Sequence, residues 1–294
     1  MVKDWIEAVR PRTLPVSVAG VVAASSLACS IGKFAFLPAF LCFIFALLGQ
    51  VASNFANEYY DFKGGLDKKG RQGPRRGVTE GTITPKAMLN ATLGTVAVVC
   101  MFGLCLLLFG PWWLIFVGIF VAVGVFAYSA GPYPLSHHGL GDLAVFFFFG
   151  LIPVNFTYFL QTGSISVSSV MLSIAIGLMS VNVLIVNNYR DADDDRAVGK
   201  KTTVVVFGRK FMQKVYFCNG FIAAAVVLPV LSAGEFFVIW IIPVMIYLIM
   251  HVVIWNRLKS LKGRWLNDVL GQTAKSMLLF SLLFMIVCVF QLIK

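Results

Sequence analysis

Residues 168–195 read SSVMLSIAIGLMSVNVLIVNNYRDADDD, and this stretch joins a long apolar segment to a dense cluster of acids. Residues 168–188 contain no Asp, Glu, Lys or Arg. They are long enough to cross a bilayer as a helix, which takes about 20 apolar residues. The acids begin at Asp191, directly after this segment. The stretch therefore predicts a membrane-spanning helix that carries carboxylates at one end.

The composition of the whole chain predicts a polytopic membrane protein. Of the 294 residues, 59% are apolar and 13% are charged, and the mean hydropathy is +0.86. A soluble domain is nearer ~45–50% apolar and ~25% charged, so a soluble enzyme, a fibrous protein and a disordered chain are excluded. The predicted fold is all-α, with nine transmembrane helices. The nine segments are 14–31, 34–57, 87–109, 112–130, 142–160, 168–188, 214–232, 236–255 and 274–293.

Nearly all of the basic residues fall on one side of this predicted bundle. Of the 24 Lys and Arg residues, only Lys33 and Lys294 lie on the other side. Because basic residues concentrate in cytoplasmic connections, we expect a cytoplasmic N-terminus and an external C-terminus. The net charge of +11 is thus explained by membrane orientation, and nucleic acid is not an expected partner. We expect a multi-pass protein of the cytoplasmic (inner) membrane.

Two acidic motifs with the same spacing stand at the ends of two predicted spans. They consist of Asn57 and Asp61 with Asp67 downstream, and of Asn187, Asp191 and Asp195. The two Asn-x-x-x-Asp patterns are offset by 130 residues, from 57 to 187 and from 61 to 191. If each helix continues through its motif, residues four apart share one face. We interpret residues 1–294 as one domain with a parallel pseudo-repeat of four-helix units, whose motifs lie at 57–67 and 187–195.

The density of these acids predicts a divalent cation. Neighbouring carboxylates repel one another and raise each other's pKa. Mg²⁺ prefers one or two carboxylates together with waters and phosphate oxygens, so two facing motifs predict a Mg²⁺–diphosphate site. Asp193 and Asp194 are interpreted as solvated loop charge. The basic residues near the motifs, which are candidates for the other phosphate oxygens, are Lys68, Arg71, Arg75, Arg76, Arg190, Lys200 and Lys201.

Several other polar residues have more than one interpretation. Asp142 is either the N-cap of the fifth predicted span or a site residue. Tyr128 begins a Gly- and Pro-containing break at 128–134 that either shapes a pocket or only turns the chain. His137 and His138 are interpreted as loop residues. The six cysteines all lie in apolar runs, which predicts packing and not a disulfide framework or a zinc site.

The two motifs resemble the signatures of the UbiA superfamily of intramembrane aromatic prenyltransferases, over about residues 5–290. The first signature is similar to Asn57-Glu58-x-x-Asp61 with Asp67 downstream. The second is similar to Asn188-x-Arg190-Asp191-x-x-x-Asp195 followed by Gly199-Lys200-x-Thr202. The resemblance implies nine transmembrane helices around a central cavity, with the Asp motifs at its cytoplasmic end. Glu58 departs from the family pattern, which usually has Asp at this position.

Within the superfamily, the chain resembles the 1,4-dihydroxy-2-naphthoate prenyltransferases of menaquinone biosynthesis. The features that carry this resemblance are RPRTLP at 10–15, the wide gap between Asp61 and Asp67, GPRRG at 73–77, and GLGD at 139–142 with LQTG at 160–163. The implied reaction transfers a polyprenyl group from polyprenyl diphosphate to dihydroxynaphthoate. It releases CO₂ and diphosphate and gives demethylmenaquinol.

The resemblance also implies roles for particular residues. The residues implied to hold Mg²⁺ and diphosphate are Asn57, Glu58, Asp61, Asp67, Asn187, Asp191 and Asp195. The implied diphosphate contacts are Lys68, Arg75, Arg190 and Lys200. Asp142 and Gln161 are candidates for the acceptor side, and Tyr128 is a candidate for the substrate pocket. Mg²⁺ is the implied cofactor, and the lipid bilayer is the implied surrounding.

Alternatives from the same and from different functional classes stay open. One is a prenyltransferase for another aromatic acceptor, such as 4-hydroxybenzoate, homogentisate or haem. Others are a cation transporter and a membrane scaffold. Transporters place ionisable residues near the bilayer midplane, whereas the middles of the nine predicted spans contain no Asp, Glu, Lys or Arg.

Reporter fusions test the predicted orientation. Fusions at Gly70 and Lys200 should report a cytoplasmic location, and a fusion at Gly163 an external one, because the basic connections face the cytoplasm. A cytoplasmic signal at Gly163 would contradict the nine-span prediction.

Overall fold

The computed structural model is a helical bundle, and it describes residues 2–231 and 237–292. Within those two ranges no strand occurs, so the predicted all-α class is confirmed. The helices are α1 (Val2–Val9), α2 (Leu14–Ser30), α3 (Phe36–Lys63), α4 (Gly77–Glu80), α5 (Pro85–Leu106), α6 (Leu114–Ala127), α7 (Gly141–Val145), α8 (Ile152–Thr162), α9 (Val167–Ala197), α10 (Thr203–Phe207), α11 (Arg209–Leu231), α12 (Phe237–Ser260) and α13 (Leu266–Leu292). A π-helical segment, Phe146–Leu151, joins α7 to α8 without a break.

Seven helical segments of the described chain are long and apolar enough to cross a membrane. They are Phe36–Lys63, Pro85–Phe109, Gly141–Thr162, Val167–Ala197, Arg209–Val230, Ile241–Ser260 and Gly263–Phe290. An eighth span results if α1 and α2, which meet at a bend of 51°, count as one. Helix α6 has 14 residues, about 21 Å at 1.5 Å per residue, and is shorter than a bilayer core.

Each of the nine predicted segments thus contains a helix, but the count of nine spans and the orientation stay predictions. Three predicted boundaries, residues 232, 236 and 293, lie outside the described residues.

Local sequence signals determine several helix ends. The Thr84 hydroxyl accepts a hydrogen bond from the Ala87 amide at 3.2 Å, and Pro85 occupies the first turn of α5. Ser166 and Ser169 form a reciprocal capping box at the start of α9. Gly163 ends α8 with a φ of 80°, which glycine adopts without strain. A short connection therefore reverses the chain between α8 and α9.

Helix α9 lies in the interior of the bundle, and α5 lies at its periphery. In the most apolar 18-residue window of each helix, 72% of the window is buried in α9 and 11% in α5. Helix α5 therefore presents its side chains outward. The π-helical segment packs closely on α9, and a Cβ on Gly150 would collide with the Gly177 Cα. Only glycine permits this approach, and the approach holds α9 in the centre.

Helices α3 and α9 both end at the same end of the bundle, which we call the motif end. Asn57 and Asp61 lie in the last turns of α3, which continues to Lys63. The second motif lies in the last turns of α9, which continues to Ala197. The expectation that both helices continue through their Asn-x-x-x-Asp patterns is therefore confirmed, each pair of residues four apart shares a helix face, and Asp67 lies beyond the end of α3.

Candidate active site

Asp61 is buried at the motif end between two basic side chains. Its side chain is only 3% exposed. Its Oδ2 lies 2.9 Å from Lys200 Nζ, and its Oδ1 lies 3.3 Å from His137 Nε2. Lys200 follows α9, and His137 lies in the turn before α7. Asp61 therefore ties the end of α3 to two segments that are distant in the sequence.

Arg71 joins the two acidic motifs directly. It lies in the loop of residues 64–76 between α3 and α4, which we call the 64–76 loop. Its Nη1 donates to Asp67 Oδ1 at 2.7 Å, and its Nη2 donates to Asp191 Oδ2 at 3.0 Å. Burial disfavours the charged guanidinium, but Asp191 and Asp67 outweigh that effect and raise the pKa of Arg71. Arg71 is therefore a permanently charged bridge between the motifs.

Arg190 is committed to neighbouring protein side chains. Its Nε and Nη2 donate to the two oxygens of Asp191, both at 2.7 Å. Nη2 also donates to Asn187 Oδ1 at 2.8 Å, and Nη1 donates to Asn267 Oδ1 at 2.9 Å. Arg190 also lines the polar cavity described below, so its role as a diphosphate contact stays a prediction, and its guanidinium orients Asp191 and Asn187.

Asn57 is held by two arginines from different parts of the chain. Its Oδ1 accepts hydrogen bonds from Arg10 Nη2 at 3.0 Å and from Arg76 Nη2 at 2.8 Å. Among the described residues, Arg10 is the non-glycine residue with a positive φ, at 57°. An arginine seldom adopts this left-handed conformation, and such strain concentrates at functional sites. The strained turn between α1 and α2 thus keeps the Arg10 guanidinium at Asn57.

A polar cavity of about 520 Å³ lies between the two motifs. The motif residues that line it are Asn57, Asp61, Asn187, Asp191 and Asp195. Its basic lining residues include Arg10, Arg71, Arg75 and Lys200. The cavity therefore presents carboxylates and cations together, as a ligand formed by a phosphate group and a metal ion requires.

An apolar cavity of about 160 Å³ adjoins the polar one. Its lining includes Phe45, Leu114, Phe148, Ile152, Phe156 and Leu160. The residues that line both cavities are Gln50, Ser53, Tyr128, Val145 and Phe149, and we call this region the junction. The two cavities together match a molecule with an anionic head and an apolar tail.

Tyr128 contributes a hydroxyl to the junction. The side chain lines both the polar and the apolar cavity. Its main-chain carbonyl accepts from Ser136 Oγ at 2.7 Å, which fixes the turn after α6. Of the two interpretations of this break, the structure therefore supports a role in shaping a pocket.

The residues at the motif end fit a Mg²⁺ ion that is shared with a ligand. Within the part of the chain that the structure describes, no three His, Cys, Asp or Glu side chains form a cluster able to hold a metal. Mg²⁺ is usually held by one or two carboxylates plus waters and phosphate oxygens, so such a cluster is not required. In addition, the buried Oδ2 of Asp67 has no hydrogen-bond partner and lies 3.3 Å from Arg76 Nε in an ion pair. The carboxylate and amide oxygens present here are suitable Mg²⁺ donors.

Glu58 and Gln161 do not face the polar cavity. Glu58 is 1% exposed, and its Oε1 accepts a hydrogen bond from the Val78 amide of α4 at 3.1 Å. The Gln161 amide bonds to Ser25 Oγ and to the Ala35 amide, just before α3 begins. Ala35 lies roughly 40 Å along α3 from Asp61, at about 1.5 Å per residue. The structure thus corrects the roles expected for Glu58 at the metal and for Gln161 at the acceptor.

Three other predicted residues differ in their relation to the cavity. Arg75 is exposed and lines the polar cavity. Lys68 is exposed on the 64–76 loop, and the described lining of the polar cavity does not include it. Asp142 lies in the first turn of α7 after the N-cap position, which Leu140 occupies, and it is absent from the described linings of both cavities. The interpretation of Asp193 as surface charge is confirmed, since its side chain is 73% exposed beside Arg209.

The sequence did not indicate the roles of Arg10, His137 and Asn267. Arg10 belongs to the RPRTLP stretch at 10–15, which was a signal that this segment matters but not of its partner. His137 is one of two adjacent histidines in a turn, and nothing local distinguishes them. Asn267 begins a long apolar helix and has no sequence signal at all.

The comparisons with known proteins agree on one family. The UbiA prenyltransferase family pattern matches residues 14–270. A 1,4-dihydroxy-2-naphthoate octaprenyltransferase from Escherichia coli is 37% identical over 220 residues, covering 73% of this chain and 71% of the relative. The protein of the same name from Mycobacterium tuberculosis is 34% identical over 225 residues, covering 76% of each chain.

Solved structures share the fold at low sequence identity. A UbiA homologue from Archaeoglobus fulgidus bound to DMAPP and Mg²⁺ superposes with a TM-score of 0.69 at 12% identity, covering 97% of this chain and 99% of that one. An apo UbiA homologue from Aeropyrum pernix gives 0.68 at 15% identity, covering 92% and 97%. At this identity the likeness shows the helical fold alone.

Replacing Arg71 should shift the pH dependence of anion binding at the polar cavity. Burial raises the pKa of Asp67 above its usual value, and Arg71 opposes that effect. Binding of inorganic diphosphate with Mg²⁺, measured by calorimetry, should weaken as the pH falls through the pKa of Asp67. In Arg71→Gln that pKa rises further, so the loss should begin at a higher pH. Lys69→Gln, an exposed neighbour on the same loop, is the control. Identical pH profiles for the two variants would contradict this account.

Proposed function

The chain belongs to the UbiA prenyltransferase family, and on that premise we propose that it transfers a polyprenyl group from polyprenyl diphosphate to 1,4-dihydroxy-2-naphthoate. The observation that carries the proposal is the meeting of the polar and apolar cavities at the junction. The diphosphate lies between the acidic motifs, and the isoprenoid tail lies in the apolar cavity. The identity of the acceptor is supported by the relatives, whose names specify this naphthoate.

The basic lining of the polar cavity stabilises the leaving group. When the allylic C–O bond breaks, negative charge develops on the diphosphate, and preorganised cations lower the energy of that state. Lys200, Arg71 and Arg75 are among the cations that line the cavity. Lys200 pairs with Asp61, and Arg71 stands between the motifs. Mg²⁺, when bound through the motif carboxylates and amides, supplies further positive charge to the diphosphate oxygens.

The apolar side chains near the junction protect the reactive carbon from water. The allylic cation must meet the aromatic ring before it meets a water molecule. Val145 and Phe149 line both cavities, and Phe148 lines the apolar one. These side chains surround the position where the head of the substrate gives way to its tail.

The chemistry at the acceptor follows from where its carboxylate is attached. The ring carbon that bears the carboxylate lies ortho to a hydroxyl and is electron-rich, so it attacks the allylic carbon and forms a C–C bond. The allylic C–O bond breaks, and its electron pair leaves with the diphosphate. The bond to the carboxylate then breaks, CO₂ leaves, and the electron pair of that bond restores the aromatic ring.

The same proposal places the polar cavity at the cytoplasmic face of the inner membrane. It rests on the distribution of basic residues, 22 of which lie in the predicted cytoplasmic segments. The parallel pseudo-repeat is supported by the directions of α3 and α9, which both end at the motif end.

Incubation with a panel of acceptors tests the proposed reaction. Purified protein with Mg²⁺ and a polyprenyl diphosphate should consume dihydroxynaphthoate and leave 4-hydroxybenzoate unchanged. Mass spectrometry should show a product without the carboxylate, and CO₂ should appear in step with diphosphate. Chelation of Mg²⁺ should stop the reaction, and its return should restore it. Efficient prenylation of hydroxybenzoate with the carboxylate retained would assign a different acceptor.

Substitutions of three aspartates test whether turnover depends on the buried site carboxylates or on surface charge. Asp61→Asn and Asp191→Asn should each lower turnover on the order of 10²-fold or more, because each removes a charge that anchors Mg²⁺ and diphosphate. Asp193→Asn is the matched control, since its side chain is exposed and pairs with Arg209. Gel filtration in detergent checks that all three variants stay folded. Equal losses in the three would show that the charge of the whole region matters and not these two positions.

A further inference from the structure

Asn267, near the start of α13, links Arg190 beside the second acidic motif to the loop that follows the first. Its Oδ1 accepts from Arg190 Nη1 at 2.9 Å, and its Nδ2 donates to the main-chain carbonyl of Gln72 at 3.1 Å. Nδ2 also donates to the Arg264 carbonyl at 2.9 Å. A guanidinium only donates and a carbonyl only accepts, so these partners fix the orientation of the amide. The side chain therefore links Arg190 to the 64–76 loop.

The part of the loop that Asn267 holds contains two residues that touch the site. Gln72 lies directly between Arg71, the bridge between the motifs, and Gly73. A Cβ on Gly73 would lie 2.8 Å from Arg190 Nη2, so the loop backbone lies against that guanidinium. Because the Gln72 carbonyl is anchored, the positions of Arg71 and Arg190 are set together.

We propose that Asn267 is a positioning residue for the prenyl diphosphate, which aligns Arg71 and Arg190 by anchoring the 64–76 loop to α13. Asn267 lines the polar cavity, at the side of Arg190 and Asp191. Through Arg190 it orients Asp191 and Asn187, and through Gln72 it keeps Arg71 between Asp67 and Asp191. Loss of the Asn267 amide frees both arginines to adopt other conformations. This inference rests on the proposed function for the identity of the ligand.

The placement of Asn267 separates positioning from folding. Its hydrogen bonds to the two carbonyls lie in an exposed region, and the core of α13 begins with the buried Leu266 and Val269. The third hydrogen bond, to the buried Arg190, is part-buried, but no apolar core contact is removed when the amide is replaced. We therefore expect loss of the amide to alter the loop and the substrate affinity while the bundle stays folded.

Limited proteolysis and kinetics on three variants test the proposal. Trypsin cleaves after the exposed Lys68 and Lys69 of the 64–76 loop, and gel electrophoresis follows the fragments. Asn267→Ala should raise the cleavage rate and the KM for polyprenyl diphosphate by about tenfold, since two hydrogen bonds at the site are lost. The KM for the acceptor should stay unchanged. Asp268→Asn, one residue along the same helix and exposed, is the control and should match the wild-type chain.

Asn267→Asp separates the two functions of the amide. The carboxylate still accepts from Arg190 but cannot donate to the Gln72 carbonyl. Cleavage should therefore rise as in Asn267→Ala, while the KM for polyprenyl diphosphate rises less. If Asn267→Ala does not accumulate as folded protein, the Asp variant decides: faster cleavage with turnover retained at saturating substrate supports the proposal.

Cleavage rates within about twofold of wild type in both variants, or an unchanged KM for polyprenyl diphosphate, would overturn the inference. A fall in kcat, together with KM values for polyprenyl diphosphate and for the acceptor that change by the same factor, would also overturn it. Protection of the wild-type loop by Mg²⁺ with inorganic diphosphate is measured in parallel. That measurement does not use the acceptor, so failure to turn over dihydroxynaphthoate would refute the proposed acceptor and leave the role of Asn267 testable.

Discussion

The motif end depends on the neutralisation of buried carboxylates by basic side chains. The side chains of Asp61, Asp67 and Asp191 are 3%, 5% and 4% exposed. Burying an unpaired carboxylate costs on the order of several kcal/mol, so these acids require partners within the fold. Arg71 supplies one charge to two of them, and Lys200 supplies another to Asp61. The ends of α3 and α9 can stand together only because these cations lie between them.

Apart from Arg190, which pairs with Asp191 on the same helix, the cations that contact the motifs come from segments outside α3 and α9. Arg71 lies in the 64–76 loop, Lys200 follows α9, and Arg10 lies in the strained turn between α1 and α2. As a consequence, the connections at this end are structural parts of the site and not passive links. The same cations that compensate the buried acids also line the cavity, so one set of charges serves both folding and the binding of an anion.

The sequence was sufficient where a local property carried the information. Length and hydropathy located the helices, and the spacing of four placed Asn57 with Asp61 on one face. The sequence did not show in which direction a side chain points around its helix, or at which depth of the bundle it lies. Glu58 is one residue after Asn57, about 100° further around the helix, and it faces α4 instead of the cavity. Arg190 is next to Asp191 and bonds to it. Its proximity to the motif did not show whether its guanidinium pairs with the protein. Gln161 of α8 lies beside the opposite end of α3 from Asp61, and no sequence motif indicates how deep in the bundle a residue lies.

The two cavities constrain where the proposed reaction takes place. A diphosphate held between the motifs and a tail held among Phe148, Phe156 and Leu160 leave the bond between them at the junction. The acceptor ring must reach that bond, so its polar groups meet the polar side chains of the junction, which are Gln50, Ser53 and Tyr128. In the proposed reaction, recognition of the acceptor therefore falls to α3 and the turn after α6, and the acidic motifs bind the diphosphate.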